Sequence, residues 1–218
     1  MHHLTTNNEK TMKVILVNGS PHKNGCTHAA LEEVAGELEK AGIETEMFWC
    51  GVKPVMGCIG CGKCSATKRC WYGDDAVNGF LEKVGGADGF VFGTPIHFAG
   101  TSGAVKPFMD RAFCSKTGIY ANKPAAAVVS CRRGGALGGF EDLNRYFTIA
   151  GMPVVSSNYW NEVHGNTPDE VCRDLEGMQT MRQLGRNMAW LLRSIEAGRE
   201  AGVELPVTET KIKTNFIR

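Results

Sequence analysis

Lys13-Val14-Ile15-Leu16-Val17-Asn18 is a short apolar, β-branched run that stops at Gly19. A strand of this kind is buried on both faces, as in a parallel sheet with helices on each side. From Thr27 the period changes, with Leu31, Val34, Leu38 and Ala41 on one helical face and Glu32, Glu33, Glu37 and Glu39 elsewhere. Gly42 ends that helix, and Ile43 to Trp49 alternates as a second strand. The same alternation predicts a helix capped by Asp74 and running to about Val84, a strand at Gly89–Gly93, and a helix over Ser102–Cys114. It continues with a strand at Pro124–Ser130, a helix from about Gly139 to Ala150, and a strand at Met152–Ser156. Thr167-Pro168-Asp169-Glu170 supplies the N-cap, first-turn proline and capping-box glutamate of a last helix. Val171, Leu175, Met178, Met181, Leu184, Met188, Leu191 and Ile195 mark its buried face. Residues 50 to 73 are rich in Gly and Cys without a clear period and read as a loop.

Strands alternating with helices predict an α/β three-layer sandwich with a five-stranded parallel sheet of order 2-1-3-4-5. Ligands of such sheets sit beyond the carboxyl ends of the strands. At 218 residues the chain can close one core of this kind. We expect a domain over 12–198 that includes the loop 50–73, a disordered polar lead-in or expression remnant over 1–11, and a tail over 199–218. The tail reads as an oligomerisation arm or as a loose end.

The formal charge of +1 argues against a nucleic acid or an anionic membrane as partner. No apolar run is long enough to span a bilayer, and the first residues lack the apolar core of a signal peptide. Nine cysteines, an odd number concentrated between Cys58 and Cys70, argue against a disulfide framework and for metal or redox chemistry in a reducing cytoplasm.

Gly19-Ser20-Pro21-His22-Lys23-Asn24-Gly25-Cys26-Thr27 joins the first strand to the first helix. Unpaired N–H groups and the helix dipole favour an anion there. Ser20 and Thr27 add hydroxyls, Asn24 an amide, and His22 and Lys23 positive charge. The Lys-Ser/Thr end of a Walker A loop is missing, as is the G-x-G-x-x-G of dinucleotide folds. A well-capped αβ loop without a ligand is the plainer alternative. The segment Gly93-Thr94-Pro95-Ile96-His97-Phe98-Ala99-Gly100-Thr101-Ser102-Gly103 leaves the third strand at the switch point of the sheet. It reads as a tight rim whose Ile96, His97 and Phe98 can pack on a flat ring, or else as a turn with a half-buried aromatic.

With these two stretches, and Lys106, Asp110 and Arg111 downstream, the chain resembles the flavodoxin-like NADPH-dependent FMN reductases, and among them the iron–sulfur flavoproteins. The resemblance spans roughly residues 12 to 195 and implies a flavodoxin-like fold with bound FMN. Carried across, it implies that Ser20, His22, Cys26 and Thr27 contact the flavin phosphate and that Thr94, Pro95, Ile96, His97 and Phe98 line the ring. Family members more often carry arginine at position 22, a small polar residue at 26 and tyrosine at 97. A further loop, Ser130-Cys131-Arg132-Arg133-Gly134-Gly135, passes under the pyrimidine side of the flavin in the family. There Arg132 or Arg133 either stabilises negative charge on the reduced ring or is a solvated surface charge. The aromatic segment Asn158 to Gly165 approaches the flavin in similar proteins, often from a second subunit, and Trp160 reads as an interface residue.

Cys58-x2-Cys61-x2-Cys64-x5-Cys70 lets a short loop offer the four thiolates that a [4Fe–4S] cluster takes. Zinc sites more usually show two separated C-x2-C pairs. The loop resembles the compact cluster motif of iron–sulfur flavoproteins, and the alternative is a set of reduced thiols without a cluster. Cys50, Cys114 and Cys172 read as ordinary small core hydrophobes.

Three functions follow as expectations. The first is an FMN-dependent NAD(P)H oxidoreductase, a homodimer or homotetramer, passing electrons to a flavin, quinone or similar small-molecule acceptor. The second is an iron–sulfur flavoprotein that takes electrons from a ferredoxin-like partner. The third is a non-redox scaffold. None calls for an acid–base catalyst, since hydride transfer needs no such group.

Overall fold

A computed structural model describes residues 11–214; all but the last residue of the expected lead-in, and the final four residues of the tail, lie outside them. The elements are β1 (Lys13–Asn18), α1 (Cys26–Lys40), β2 (Glu44–Trp49), α2 (Cys64–Thr67), α3 (Ala76–Lys83), β3 (Gly89–His97) and β4 (Gly100–Thr101). They continue as α4 (Val105–Ser115), β5 (Ala125–Cys131), α5 (Ala136–Ile149), β6 (Glu162–His164), α6 (Pro168–Arg173) and α7 (Leu175–Glu200).

The sheet has the order β2-β1-β3-β5-β6, and all four neighbouring pairs are parallel. With β4 set aside as a two-residue antiparallel return on β3, this is the expected 2-1-3-4-5 order. Both faces are covered, as the unbroken apolar run of β1 requires. Ile15, Val17, Phe90, Phe92, Ala125 and Ala127 point to one side, where Phe80, Phe108, Phe113, Tyr120 and Phe147 fill the space with rings. Val14, Leu16, Val91, Ala126 and Val128 point to the other, against Leu31, Val34 and Leu38 of α1 and Met181, Leu184 and Met188 of α7. The alanines of β5 leave room for the rings: Phe92 and Phe147 lie 5.5 Å apart between centroids.

Helix α4 starts at Val105, not Ser102, and α5 at Ala136, not Gly139; four larger differences from the sequence expectation each have a local reason. The fifth strand is not Met152–Ser156. Pro153 and Val155 make only a bridge to Ala125, with N···O distances of 2.9 and 2.8 Å, and the chain then leaves the sheet. It returns at Glu162–His164 beside Val129–Cys131. Across the gap the Asn161 side-chain amide donates to Ala127 O at 3.0 Å while its backbone carbonyl accepts from Val129 N at 2.9 Å. One side chain thus replaces a missing rung of the ladder. The helix at 76 is capped by Asp75, not Asp74, because the Asp75 carboxylate accepts from Val77 N at 3.2 Å.

The last helix is two. Asp174, at φ −73° and ψ 83°, breaks it, and its carboxylate accepts from Gly177 N (3.0 Å) to cap α7 and from His164 N (2.7 Å) to tie that cap to β6. The expected Thr167 cap is present, with its hydroxyl accepting from Glu170 N at 3.2 Å. Finally, β3 runs on to His97 because β4 pairs with it, Ile96 against Thr101 and His97 against Gly100.

Helices α1 and α7 cross closely at Gly185, where an added Cβ would lie 2.7 Å from Val34 O and 2.8 Å from Glu37 Cβ. The contact is locked by Glu37, a buried carboxylate bound by Lys40 and Arg186, each at 2.7 Å. Hydrogen bonds from Lys40 first, then Arg186, hold its pKa below the ordinary carboxylate value. Gly185→Val should therefore force the helices apart and cost about 1–3 kcal/mol, a typical overpacking penalty. The measurement is the urea midpoint; an unchanged midpoint would mean that the crossing can widen at no cost.

Candidate functional site

The carboxyl ends of β1, β3 and β5 lie side by side, so the three loops singled out in the sequence meet on one edge. Hydrogen bonds lace them together. Gly19 N donates to Gly93 O (2.9 Å), and the Ser102 hydroxyl donates to Gly19 O (2.7 Å). The Thr27 and Ser130 hydroxyls share a hydrogen bond of 2.8 Å, both buried, and the Cys26 thiol donates to Gly165 O at 3.6 Å. At Gly19 this closeness needs the absence of a side chain, since a Cβ would stand 2.0 Å from Val105 Cγ2.

Within the first loop the buried Asn18 is the organiser. Its Oδ1 accepts from Ser20 N (3.0 Å) and its Nδ2 donates to Lys23 O (2.9 Å), while Ser20 Oγ accepts from His22 N (3.1 Å). Trp49, at the end of β2, braces the turn by donating its indole N–H to Ser20 O (2.8 Å), and Lys23 Nζ sits 5.8 Å from its ring centroid. Neither Asn18 nor Trp49 stood out in the sequence. The signal was there in their positions, each the last residue of a strand that ends on this edge.

Gly25 takes the N-cap position of α1 in extended backbone with no side-chain cap. The first-turn amides of α1 are thus left without a side-chain acceptor, and the positive end of the helix dipole faces the loop, the arrangement that holds a phosphate. His22, Lys23 and Asn24 are exposed around it. Cys26 starts the helix as a thiol whose pKa is raised by burial, so it brings no negative charge to the anion site. These residues fit the phosphate of FMN.

On β3, Thr94 is fully buried, and its hydroxyl donates to Pro95 O (3.1 Å) and accepts from Ser102 N (3.2 Å). Pro95 and Ile96 are half-buried, His97 is exposed, and Phe98 stands free in solvent at a positive φ of 55°. Ile96 rests on the start of α5, where a Cβ on Gly139 would come within 2.5 Å of its Cδ1. After β5, Ser130 and Cys131 are buried, whereas Arg132, Arg133 and Gly134 are exposed. Burial raises the Cys131 thiol pKa as well.

The cysteine loop leaves the same edge, since Cys50 N donates to Asn18 O at 3.0 Å just before it departs. Left-handed turns at Gly60 (φ 65°) and Gly62 (φ 70°) fold it back, and Cys64 opens the one-turn α2 that breaks the expected loop. Cys58, Cys61, Cys64 and Cys70 line one cavity of about 160 Å³. A fifth thiol, Cys114 of α4, lines it too, which corrects the reading of Cys114 as a core residue. Burial first, then the neighbouring Cys64 and Cys58 thiols, raise its pKa. The sequence signal was its spacing, three residues after Arg111 and so on the same helical face. Cys172 is exposed as well, and only Cys50 keeps its expected buried role, its thiol pushed up to about 12 by burial.

All nine cysteines are free, and among the described residues no three metal-ligating side chains converge on a single ion position. The thiols surround a space instead. A cubane cluster, bound by thiolates at four separate irons, fits such a donor set better than a lone zinc ion does.

One wall of the cavity is built from a buried ion pair. Arg111 and Asp75, each with a side chain 1% exposed, bind one another, and Arg111 also donates from Nη2 to Tyr72 O (2.8 Å), from Nη1 to Met56 O (3.2 Å) and from Nε to Cys70 Sγ (3.1 Å). Burial by itself would lower the Arg111 pKa, but Asp75 and then Cys70 outweigh it and hold the guanidinium above its ordinary value. Asn78 completes the grip: its Oδ1 accepts from Cys70 N (2.9 Å) and its Nδ2 donates to Cys70 O (3.0 Å). Removing one member of a buried pair leaves the other uncompensated. Asp75→Ala should cost about 3–5 kcal/mol and free the loop, seen as a lower urea midpoint and faster proteolysis between residues 56 and 72. A midpoint near that of the parent protein would show that the pair is solvated in solution.

Residues 12–167 match the family model described as NADPH-dependent FMN reductase. An iron–sulfur flavoprotein of Methanocaldococcus jannaschii is 33% identical over 193 residues, covering 85% of this chain and 100% of the relative. One of Methanosarcina thermophila is 26% identical, with 87% of this chain and 100% of the relative covered. Among solved structures, a WrbA-like flavodoxin from Agrobacterium tumefaciens superposes with a TM-score of 0.57 at 19% identity, over 85% of this chain and 98% of that one. No helix among the described residues is long and apolar enough to cross a membrane. With its three loops joined at one edge of a flavodoxin-like sheet and its cysteines around a common cavity, the chain belongs to the NADPH-dependent FMN reductase and iron–sulfur flavoprotein family.

Proposed function

We propose that this chain is an electron-transfer flavoprotein that carries FMN on the loops after β1, β3 and β5 and a [4Fe–4S] cluster in the cysteine-lined cavity. The observation that carries the reading is the shared edge. The phosphate loop and the cysteine loop leave neighbouring strands in the same direction and are bonded through Asn18 and Trp49.

Bound FMN can take up a hydride as an electron pair and release electrons singly, which is what a one-electron cluster beside it requires. The residues of the chain do the rest. The α1 amides, with Ser20, Thr27 and Asn24 near them, hold the phosphate, and His22 and Lys23 supply charge around it. Thr94 to Phe98 give the ring a rim, and Arg132 and Arg133 lie on the exposed loop where positive charge would favour its reduced, anionic state. Cys58, Cys61, Cys64 and Cys70 are the four ligands that the motif supplies. The exposed Tyr159 and Trp160, with ring centroids 5.1 Å apart, follow the bridge to β5 and support assembly with a second copy of the chain.

A second reading keeps the flavin and drops the cluster: an NAD(P)H oxidoreductase reducing a flavin, quinone or similar acceptor. The family description, NADPH-dependent, favours it. The two separate cleanly. Protein purified without oxygen should show the broad absorption of a cluster under the flavin bands, with about four irons and four sulfides per chain. It should show no turnover with NADPH but accept electrons from a reduced ferredoxin-like partner. Flavin bands without iron, together with rapid NADPH oxidation in the presence of a quinone, would overturn the cluster reading and leave the second.

A single substitution tests the phosphate loop. His22 is exposed beside the uncapped end of α1, so His22→Arg adds a permanent charge without disturbing the core. FMN should bind several-fold more tightly, and the gain should shrink in high salt. Unchanged affinity, measured by fluorescence quenching of the flavin, would place the phosphate elsewhere.

A further inference from the structure

We propose that Arg111 sets the reduction potential of a cluster held in the cysteine cavity, by donating its Nε–H to the sulfur of Cys70 from a buried, immobile guanidinium. The proposal rests on the cluster reading above, and its test is arranged so that the two can fail separately.

Three observations carry it. First, the donor cannot swing away. Both members of the Arg111–Asp75 pair are buried, and Met56 O and Tyr72 O hold the two terminal nitrogens. Second, the acceptor cannot swing away either. Asn78 grips the amide and the carbonyl of Cys70, so the thiol keeps its 3.1 Å contact with Nε. Third, the pair is oriented. Asp75 takes Nη1 and Cys70 takes Nε, so the sulfur meets the positive end of a dipole whose net charge is zero. Cys64, by comparison, donates to a backbone carbonyl, Cys114 O, at 3.9 Å and meets no guanidinium donor among the described residues.

The consequence is electrostatic. Reduction adds one electron to the cluster, and part of the added charge falls on the ligand sulfurs. A fixed N–H donor and the positive end of a buried dipole stabilise the reduced state more than the oxidised one. Little water is at hand to screen them. The potential of the cluster is thereby raised, which favours its reduction. Arg111 is a positioning residue here: it touches a ligand, not the metal.

The experiment is a potentiometric titration of the full chain, reconstituted without oxygen with iron and sulfide, with dithionite as reductant. The cluster is followed by electron paramagnetic resonance and the flavin by absorbance. The double variant Asp75→Asn/Arg111→Gln removes both charges together and so avoids an uncompensated one. It should keep its iron and its flavin potential, while the equilibrium for cluster reduction falls by about tenfold, a shift of about 59 mV to more negative potential. Arg111→Lys, which keeps a charge beside Asp75 but lacks Nε, should shift the same way by less. If the double variant does not fold, this second variant decides. An unchanged cluster potential with iron in place overturns the proposal. So does loss of iron with the flavin retained, which would make Arg111 an anchor of the loop and nothing more. A parent protein without iron or sulfide overturns the cluster reading itself, and this proposal with it.

Discussion

A parallel sheet buried on both faces leaves one place where a chain can gather chemistry, the row of loops at the carboxyl ends of the strands. Here that row is drawn tight by backbone contact between β1 and β3. Gly19 N reaches Gly93 O, and Ser102 reaches back to Gly19 O. The two strand ends can come this close because Gly19 has no Cβ to meet Val105. Thr27 and Ser130 then extend the lacing to β5, and Asn18 and Trp49 extend it to β2. The edge is therefore one connected polar layer set above two apolar ones, with the loop after β1 at its centre.

A second fixed point is the buried pair of Asp75 and Arg111. An ion pair with both partners removed from water is expensive, and on energetic grounds a pair of apolar residues could serve as well. What the charges add is direction. Arg111 binds two carbonyls of the cysteine loop and one of its sulfurs, so a segment with little regular structure is held in one conformation. Asp75 does double duty, since the same carboxylate caps α3 and orients the guanidinium. Asn78, in the first turn of α3, closes the arrangement around Cys70. Helix α3 thus carries the cysteine loop as well as covering the sheet.

Much of this was legible in the sequence because it depends on period and punctuation. The apolar runs of β1 and β3, the helical stripe from Leu31 to Leu38 and the Thr167-Pro168 start are local signals, and each element lies within a few residues of its expected place. The fifth strand shows where such signals stop. Met152–Ser156 has the composition of a strand, yet the ladder is taken up by Glu162–His164, because Asn161 supplies the missing rung with its side chain. That exchange depends on where Ala127 lies, and no local pattern records it. The split between α6 and α7 is of the same kind, since Asp174 caps one helix while bonding to a strand ten residues back.

By itself, then, the sequence determined the layer order, the edge on which the three loops meet, the start of α1 and the four thiols of the cysteine loop. Each follows from spacing along the chain and from the chemistry of single residue types. Only the tertiary structure decided the partners of those groups: that Thr27 meets Ser130, that Cys70 meets Arg111, and that Cys114 joins the cysteine cavity from a helix fifty residues away. The physical reason is range. Propensity and period act over a few residues, whereas a hydrogen bond or an ion pair depends on which distant strands and helices the hydrophobic core has packed together.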